Sequence, residues 1–73
     1  MTKLPALKPK EIIHGIEKAS FVFIRQKGSH KIYIKGNFRI TIAYHNKEVK
    51  KKTLKHIIEQ SGLSTEEFLK LIR

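Results

Sequence analysis

Apolar positions along the chain follow a helical spacing first, then an alternating pattern, and then a helical spacing again. Pro9 and the isoleucines after it predict a first helix over residues 9–19. Three runs rich in β-branched and aromatic residues predict strands over residues 21–25, 30–34 and 39–44. Helical spacing returns twice in the last third of the chain, which predicts two further helices.

Turn and capping residues indicate where these elements begin and end. The turn residues at 26–29 are predicted to separate the first strand from the second. Thr53 is predicted to cap the second helix, which then ends at residues 61–62. Glu67 follows Ser64 at the spacing of a capping box, so the last helix is predicted to begin there.

The second and third strands are predicted to form a hairpin around residues 36–37. Alternation places four isoleucines of these strands on the core face: Ile32, Ile34, Ile40 and Ile42. Because residues directly opposite each other in an antiparallel pair share a face, Ile34 is expected opposite Ile40 or Phe38. Either pairing requires a loop with an odd number of residues.

The predicted order of elements is a helix, three antiparallel strands and two helices, without internal repeats or linkers. The simplest architecture lays the helices on one face of a three-stranded sheet, which is an α+β fold. The other face is left to solvent or to a ligand. We expect a single domain over residues 1–73, with residues 1–7 as a short N-terminal extension.

Charge is the most unusual feature of the composition. The 73 residues include 16 Lys and Arg against 6 Asp and Glu, a formal net charge of +10, while 40% of them are hydrophobic. That apolar fraction is sufficient for a folded core, and the charge excess favours nucleic acid or an acidic protein as the partner. Membrane binding is not expected, because the helices need their apolar faces for the core.

Residue types that the sequence lacks exclude several classes of chemistry. There is no cysteine, which excludes disulfides, thiolate zinc sites and thiol nucleophiles. There is no aspartate, and the glutamates are spread along the chain, so a two-metal nuclease centre is not expected. The histidines lack metal-ligand spacing, and we expect neither a metal nor a cofactor. No apolar run has the length of a signal peptide or a membrane span, so a cytoplasmic location is expected.

His30 is the leading candidate for catalysis, because it opens the second strand within a dense field of lysines. The predicted register places it opposite Tyr44 or Ile42. Imidazole titrates near neutral pH, so it can take a proton from a ribose 2′-hydroxyl, or give one to a leaving 5′-oxygen, without a metal. Neighbouring lysines would stabilise the negative charge that forms on the phosphate. The alternative is a structural histidine at the rim of the core on the face of Ile32, and spacing alone favours that alternative.

His45 is predicted to lie at the same end of the sheet as His30, where it is a candidate second proton-transfer group or phosphate ligand. A solvated loop histidine is the alternative and the more frequent case. His14 and His56 are expected on helix surfaces. Lysines also cluster at the start of the second helix, namely Lys47, Lys50, Lys51, Lys52 and Lys55. This cluster suits a phosphate backbone, although charge runs are more often plain solvated surface.

Three stretches of the chain resemble a known protein family. They cover residues 8–33, 45–54 and 58–64, and their most specific part is Gly28-Ser29-His30 followed by Tyr33. Together they resemble the HicA family, also called YcfA-like, whose members are small toxins of type II toxin-antitoxin systems and act as messenger-RNA interferases. The family has a fold similar to that of double-stranded-RNA-binding domains. Ser20 and Lys52 depart from the family pattern, because glycines are usual at these two positions.

The resemblance implies that His30 occupies the place of the catalytic histidine in a metal-independent endoribonuclease that cleaves messenger RNA. It also implies a HicB antitoxin that covers the active face. The residues expected to contact RNA are Lys27, Ser29, Lys31, Tyr33, His45, Lys47, Lys50 and Lys51. The alternative is a non-catalytic RNA-binding module with the same double-stranded-RNA-binding-domain-like fold, which would tolerate any polar residue in place of His30.

Overall fold

The computed structural model describes residues 4–72, so residues 1–3 of the predicted N-terminal extension lie outside the described residues. The elements in chain order are α1 (Pro9–Lys18), β1 (Val22–Lys27), β2 (His30–Lys35), β3 (Phe38–Ala43), α2 (Lys51–Ser61) and α3 (Thr65–Leu71). The strands form an antiparallel sheet in the order β1-β2-β3, and one face of it shares a core with the helices. The predicted α+β class is confirmed, and the arrangement is consistent with the fold of double-stranded-RNA-binding domains.

Helix α1 forms because the backbone N–H groups at its start find local partners and because one of its sides is apolar. Pro9 occupies the first position, where no N–H is needed, and the Glu11 carboxylate accepts a 2.9 Å hydrogen bond from the Lys8 N–H. Ile12 and Ile16 are fully buried against the sheet and the other helices. The predicted helix over residues 9–19 is therefore confirmed, with its last residue acting as the C-cap.

The end of α1 is closed by Ser20, which adopts a left-handed conformation with φ +76°. The Ser20 N–H donates to the Glu17 carbonyl and the Phe21 N–H donates to the Ile16 carbonyl, each at 3.0 Å. These two bonds form a Schellman motif, in which the left-handed residue is most often glycine. The position at which Ser20 departs from the glycine of the HicA pattern is thus one that requires positive φ.

Both hairpins of the sheet turn over two residues. Strand β1 continues through Lys27, so the predicted break at residues 26–29 is too long, and Gly28 and Ser29 alone form the turn. Gly28 has φ +61° and Gly36, at the same place in the second turn, has φ +57°. Tight hairpin turns need positive φ at this position because their backbone twist must match that of the strands.

The two-residue turn changes the register predicted for the second hairpin. Ile34 lies opposite Arg39, and His30 lies opposite Ala43. The predicted odd-length loop is wrong, and the pairing is displaced by one residue from the prediction. A one-residue displacement moves every side chain of a strand to the other face relative to its partner.

This displacement places Tyr33, and not Ile32, on the core face of β2. Tyr33 is 3% exposed and lies opposite Ile40 in the core. Ile32 lies outside the core cluster, on the side of the sheet away from the helices, which we call the outer face. It is nevertheless only 5% exposed, because the central strand has neighbours on both sides. His30 shares the face of Ile32 as predicted, but that face is the outer one and not the rim of the core.

A short antiparallel bridge holds the segment before α2 to the segment before α1. The Val49 N–H donates to the Leu7 carbonyl at 2.7 Å, and both side chains are buried. Because the chain is still extended at Val49, α2 begins at Lys51, and the predicted cap by Thr53 is wrong. Leu7 belongs to the core although the sequence assigns it to the N-terminal extension.

The last two helices are joined as the sequence predicts. Gly62 ends α2 with φ +75°. The Ser64 hydroxyl accepts a 3.1 Å hydrogen bond from the Glu67 N–H, and the Glu67 carboxylate accepts a 3.0 Å bond from the Ser64 N–H. This capping box also holds the pKa of the Glu67 carboxyl below its usual value. Helix α3 then packs so closely on α1 that a Cβ at Gly15 would overlap the Ile72 side chain.

Candidate active site at the end of the sheet

The first hairpin places His30 at one end of the sheet, on its outer face. His30 is exposed, it is the first residue of β2, and it pairs with Lys27 of β1 and Ala43 of β3. Because opposite residues share a face, the side chains of Lys27 and His30 project from the same side of the sheet. The carbonyl of Ser29 accepts a 2.7 Å hydrogen bond from the Tyr44 N–H, which fixes the chain after β3 beside the turn.

His45 follows at this same end of the sheet, as predicted. Its Nδ1 accepts a 3.2 Å hydrogen bond from the Lys47 N–H, so Nε2 is the ring nitrogen available to a ligand. His45 lines a pocket of ≈ 380 Å³ that also includes Ala43 in its wall. Ala43 is the cross-strand partner of His30, and His30 itself is not among the residues that line this pocket.

Basic side chains surround the pocket and the start of α2. Lys47 and Lys50 line the pocket, and Lys51 is the first residue of the helix. One acidic residue, Glu48, lines the pocket with them. Lys50 occupies the N-cap and makes no side-chain hydrogen bond to the helix, so the N–H groups of the first turn are not capped by that side chain. The lysines and the positive end of the helix together favour a phosphate group here.

Tyr33 lies on the core face of β2, away from His30. Its ring packs edge to face against Phe23, with centroids 5.6 Å apart and planes inclined by 65°. Burial raises the pKa of the Tyr33 phenol, and the nearby Glu17 and Tyr44 raise it further. The structure therefore does not bring Tyr33 together with His30, although the Gly-Ser-His and Tyr positions form one motif in the sequence.

Lys31 and Tyr44 form a pair that sequence reasoning missed. The Nζ of Lys31 lies 4.0 Å from the centroid of the Tyr44 ring, and this ring is 39% exposed. Alternation along the strands is the signal that could have revealed the pair, because it places both residues on one face once the register is correct. The predicted register places Tyr44 or Ile42 opposite His30, and neither pairing puts Tyr44 on the face of Lys31.

The predicted site residues thus do not share one face of the sheet. Those at the same end as His30 and outside the core are Lys27, Ser29, His45, Lys47, Lys50 and Lys51, whereas Lys31 and Tyr33 lie on the core face. An exposed imidazole beside an ammonium group can take a proton from a hydroxyl while the ammonium offsets negative charge on a phosphate. His30 and Lys27, on the outer face at this end of the sheet, therefore supply the two groups that phosphodiester chemistry needs.

The remaining histidines, His14 and His56, are exposed on α1 and α2, as predicted. Within residues 4–72, no group of three or more His, Cys, Asp or Glu side chains is arranged to hold a metal ion. Over the same part of the chain, none of the helices combines the length and apolar character needed to cross a membrane.

Comparison with known proteins identifies the family. The model of the HicA toxin family of bacterial toxin-antitoxin systems matches residues 9–63, from the first residue of α1 to just beyond the end of α2. A search of curated proteins finds no match to the chain. The matched segment contains the whole sheet, both His30 and His45, and most of the 73 residues. The chain therefore belongs to the HicA family of bacterial toxins.

Proposed function

We propose that this chain is an endoribonuclease that cleaves messenger RNA, with His30 as its proton-transfer residue. The observation that carries the proposal is the exposed imidazole of His30 directly opposite Lys27 at the end of the sheet. Membership of the HicA family supports RNA as the substrate, because toxins of this family are generally ribonucleases. The net charge of +10 adds a general attraction for a phosphate backbone.

In the proposed reaction, His30 takes the proton of a ribose 2′-hydroxyl while the 2′-oxygen attacks the adjacent phosphorus. The bond between phosphorus and the 5′-oxygen breaks, and His30 donates the proton to that oxygen. The products are a 2′,3′-cyclic phosphate and a 5′-hydroxyl. The ammonium group of Lys27 offsets the charge that builds up on the phosphorus oxygens. No step requires a metal ion, and DNA is excluded because it lacks the 2′-oxygen.

The RNA backbone is proposed to run from the turn before β2 to the start of α2. Lys27 and Ser29 contact it on one side of His30, and His45 contacts it on the other through Nε2. The lysines at the start of α2, Lys47, Lys50 and Lys51, bind phosphates further along the strand. Such contacts position the substrate without reading its sequence, and they make the affinity fall with salt concentration. Lys31 lies on the core side of the sheet beside Tyr44, and Tyr33, which is 3% exposed in the core, is not part of this path.

We further propose that a HicB-type antitoxin neutralises the chain by covering the outer face around His30, and that both act in the cytoplasm. Val22 of β1 is 60% exposed and shares the outer face with Arg25 and Lys27. Ile24, which is 46% exposed, lies at the β-bulge between Phe23 and Arg25. Apolar area edged by basic side chains fits an acidic partner. Charge attraction speeds association, whereas apolar contacts slow dissociation.

A non-catalytic RNA-binding module is the second candidate, and the fold shared with double-stranded-RNA-binding domains favours it. The test is to incubate the purified chain and its His30→Ala variant with a single-stranded RNA and to analyse the ends of the fragments. We expect 5′-hydroxyl fragments from the unaltered chain and intact, bound RNA with the variant. Binding without cleavage by the unaltered chain would establish the binding module instead.

A further inference from the structure

Tyr44 presents an aromatic ring to solvent at the end of the sheet that carries His30. The ring is 39% exposed, and the ammonium group of Lys31 lies 4.0 Å from its centroid. A cation at this distance covers one face of a ring and leaves the other face and the edges accessible. An aromatic ring within a basic surface is the arrangement on which single-stranded nucleic acids stack their bases.

The position of Tyr44 relative to His30 is fixed by the backbone. The Tyr44 N–H donates to the carbonyl of Ser29 at 2.7 Å, and Ser29 immediately precedes His30. Alternation puts Tyr44 on the face of Lys31, which is the core face. The ring of Tyr44 and the imidazole of His30 therefore lie on opposite faces at this end of the sheet. The RNA path proposed above runs from His30 on the outer face to the start of α2, which packs on the core face. A strand on that path crosses this end of the sheet, where a neighbouring base meets the ring.

We propose that Tyr44 is a stacking platform for a nucleobase that flanks the scissile phosphodiester, with Lys31 holding the ring in place. This inference rests on the proposed function, since it needs RNA at His30. Charge favours RNA as the occupant over a second copy of this chain, because two chains of net charge +10 repel each other. Stacking uses the π-face that every base has, so the platform positions the strand without selecting one base.

The first experiment measures binding of a short single-stranded RNA with 2′-O-methyl groups, which no residue of the chain can cleave through the 2′-oxygen. Base stacking on an aromatic side chain is worth enough that Tyr44→Ala should weaken binding by about 5- to 20-fold. Tyr44→Phe should bind as tightly as the unaltered chain, because the ring is kept. Thermal melts of both variants check that the fold is retained.

The second experiment gives a direct signal of stacking. The chain has no tryptophan, so Tyr44→Trp introduces a single indole whose fluorescence is quenched when a base stacks on it. The matched control is Phe38→Trp, because Phe38 is 47% exposed and lies at the opposite end of the same hairpin. We expect the 2′-O-methyl RNA to quench the Tyr44→Trp variant strongly and the Phe38→Trp variant little.

The outcomes separate this inference from the proposed function. If the RNA binds neither the unaltered chain nor any variant, RNA is not the ligand and both proposals fail. If the RNA binds, Tyr44→Ala retains full affinity and the new indole is unquenched, the platform is wrong while the ribonuclease proposal stands. If Tyr44→Ala weakens only the complex with the antitoxin, the ring belongs to a protein interface and the stacking role is likewise overturned.

Discussion

Lys27 and His30 lie directly opposite each other as the pair that closes the first hairpin, with Gly28 and Ser29 as the turn between them. A tight turn leaves the strand pair little freedom, so the spacing between the two side chains is set by the sheet ladder and not by a mobile loop. Rigid placement of a charge beside a proton-transfer group is what catalysis requires, because no energy is then lost in reorganising it during the reaction.

Replacing His30 by alanine should abolish most of the RNA cleavage. A positioned acid or base contributes about 10²- to 10⁴-fold to a rate, and an exposed side chain contributes little to packing. We therefore expect the cleavage rate of His30→Ala to fall by that factor while its thermal melt is unchanged. His56→Ala, an exposed histidine on α2, is the matched control. Cleavage near the normal rate in His30→Ala would place the chemistry elsewhere, with His45 as the next residue to test.

Reversing the charge of Lys27 should weaken RNA binding more than the same change at Lys35. Lys27 shares the face and the sheet end of His30, whereas Lys35 ends β2 with its Nζ 6.0 Å from the centroid of the Phe21 ring. The slope of log affinity against log salt is negative, and each lost phosphate contact makes it shallower by about one unit. Binding titrations at several salt concentrations measure that slope for Lys27→Glu and Lys35→Glu. Equal slopes for the two variants would contradict the proposed path of the RNA.

The same two variants test whether the antitoxin binds over the site. Charge attraction acts mainly on the association rate, so Lys27→Glu should slow association and flatten its salt dependence, with a smaller change in dissociation. Lys35→Glu should affect association less. An association rate that responds neither to Lys27→Glu nor to added salt would move the antitoxin to the helical side of the molecule.

Cleavage should continue in excess chelator and should require a 2′-hydroxyl at the scissile position. The proposed reaction uses only the imidazole of His30 and the ribose oxygen, so metal removal takes away no reacting group. A substrate with 2′-deoxyribose at the scissile nucleotide should bind normally and remain intact. Loss of activity in chelator, or cutting of the deoxy substrate, would contradict the mechanism. Activity restored by adding back a divalent cation would identify the missing component.

Local chemistry made the helices at both ends of the chain predictable. Pro9 begins α1, and the bonds between Ser64 and Glu67 begin α3, as their sequence spacing indicates. These signals act over a few residues and do not depend on the rest of the fold. The start of α2 was not predictable in this way, because it depends on the pairing of Val49 with Leu7, which are distant in the sequence.

The register of the central hairpin could not be read from apolar residues alone. Ile32 is buried on the outer face and Tyr33 in the core, so β2 is buried on both sides and its alternation carries little information. The nearness of His30 and His45 was predictable, because it depends only on strand order. The pairing of Lys31 with Tyr44 was not, since it requires the correct register.

Removing the hydroxyl of Tyr33 should make the fold less sensitive to alkaline pH. The pKa of this phenol is raised above its usual 10.0 by burial, then by Glu17 and Tyr44. The stability linked to the neutral phenol is therefore fully present below pH 10 and is lost as the pH rises through the folded-state pKa. Denaturant unfolding from pH 8 to pH 11 should show a shallower alkaline decline for Tyr33→Phe than for the unaltered chain. Glu17→Gln, which removes one cause of the raised pKa, should lie between them, and identical declines in all three would contradict the assignment.

Glycine should stabilise the chain at Ser20 and destabilise it at Lys52, although the resemblance to the HicA family implies that glycine is usual at both positions. Ser20 has φ +76°, a conformation that costs a residue with a side chain about 1–2 kcal/mol. Lys52 is the second residue of α2, where glycine is a poorer helix former than lysine by up to about 1 kcal/mol. Part of the gain at Ser20 is offset by the greater backbone entropy of glycine in the unfolded chain. We expect Ser20→Gly to raise the free energy of unfolding by up to about 1 kcal/mol. For a domain of this size, each kcal/mol corresponds to a rise of about 4–8 °C in Tm. Lys52→Gly should lower Tm.

Ser20→Ala and Ser20→Val are the controls for this comparison. Alanine removes only the hydroxyl and should change Tm little, whereas the β-branched side chain of valine fits the left-handed conformation poorly and should lower Tm. The three Ser20 variants leave His30 and all the lysines unaltered, so their RNA cleavage at a temperature well below Tm should stay normal. If Ser20→Gly melts no higher than Ser20→Ala, the left-handed residue that closes α1 is not a source of strain, and serine is accommodated there without cost.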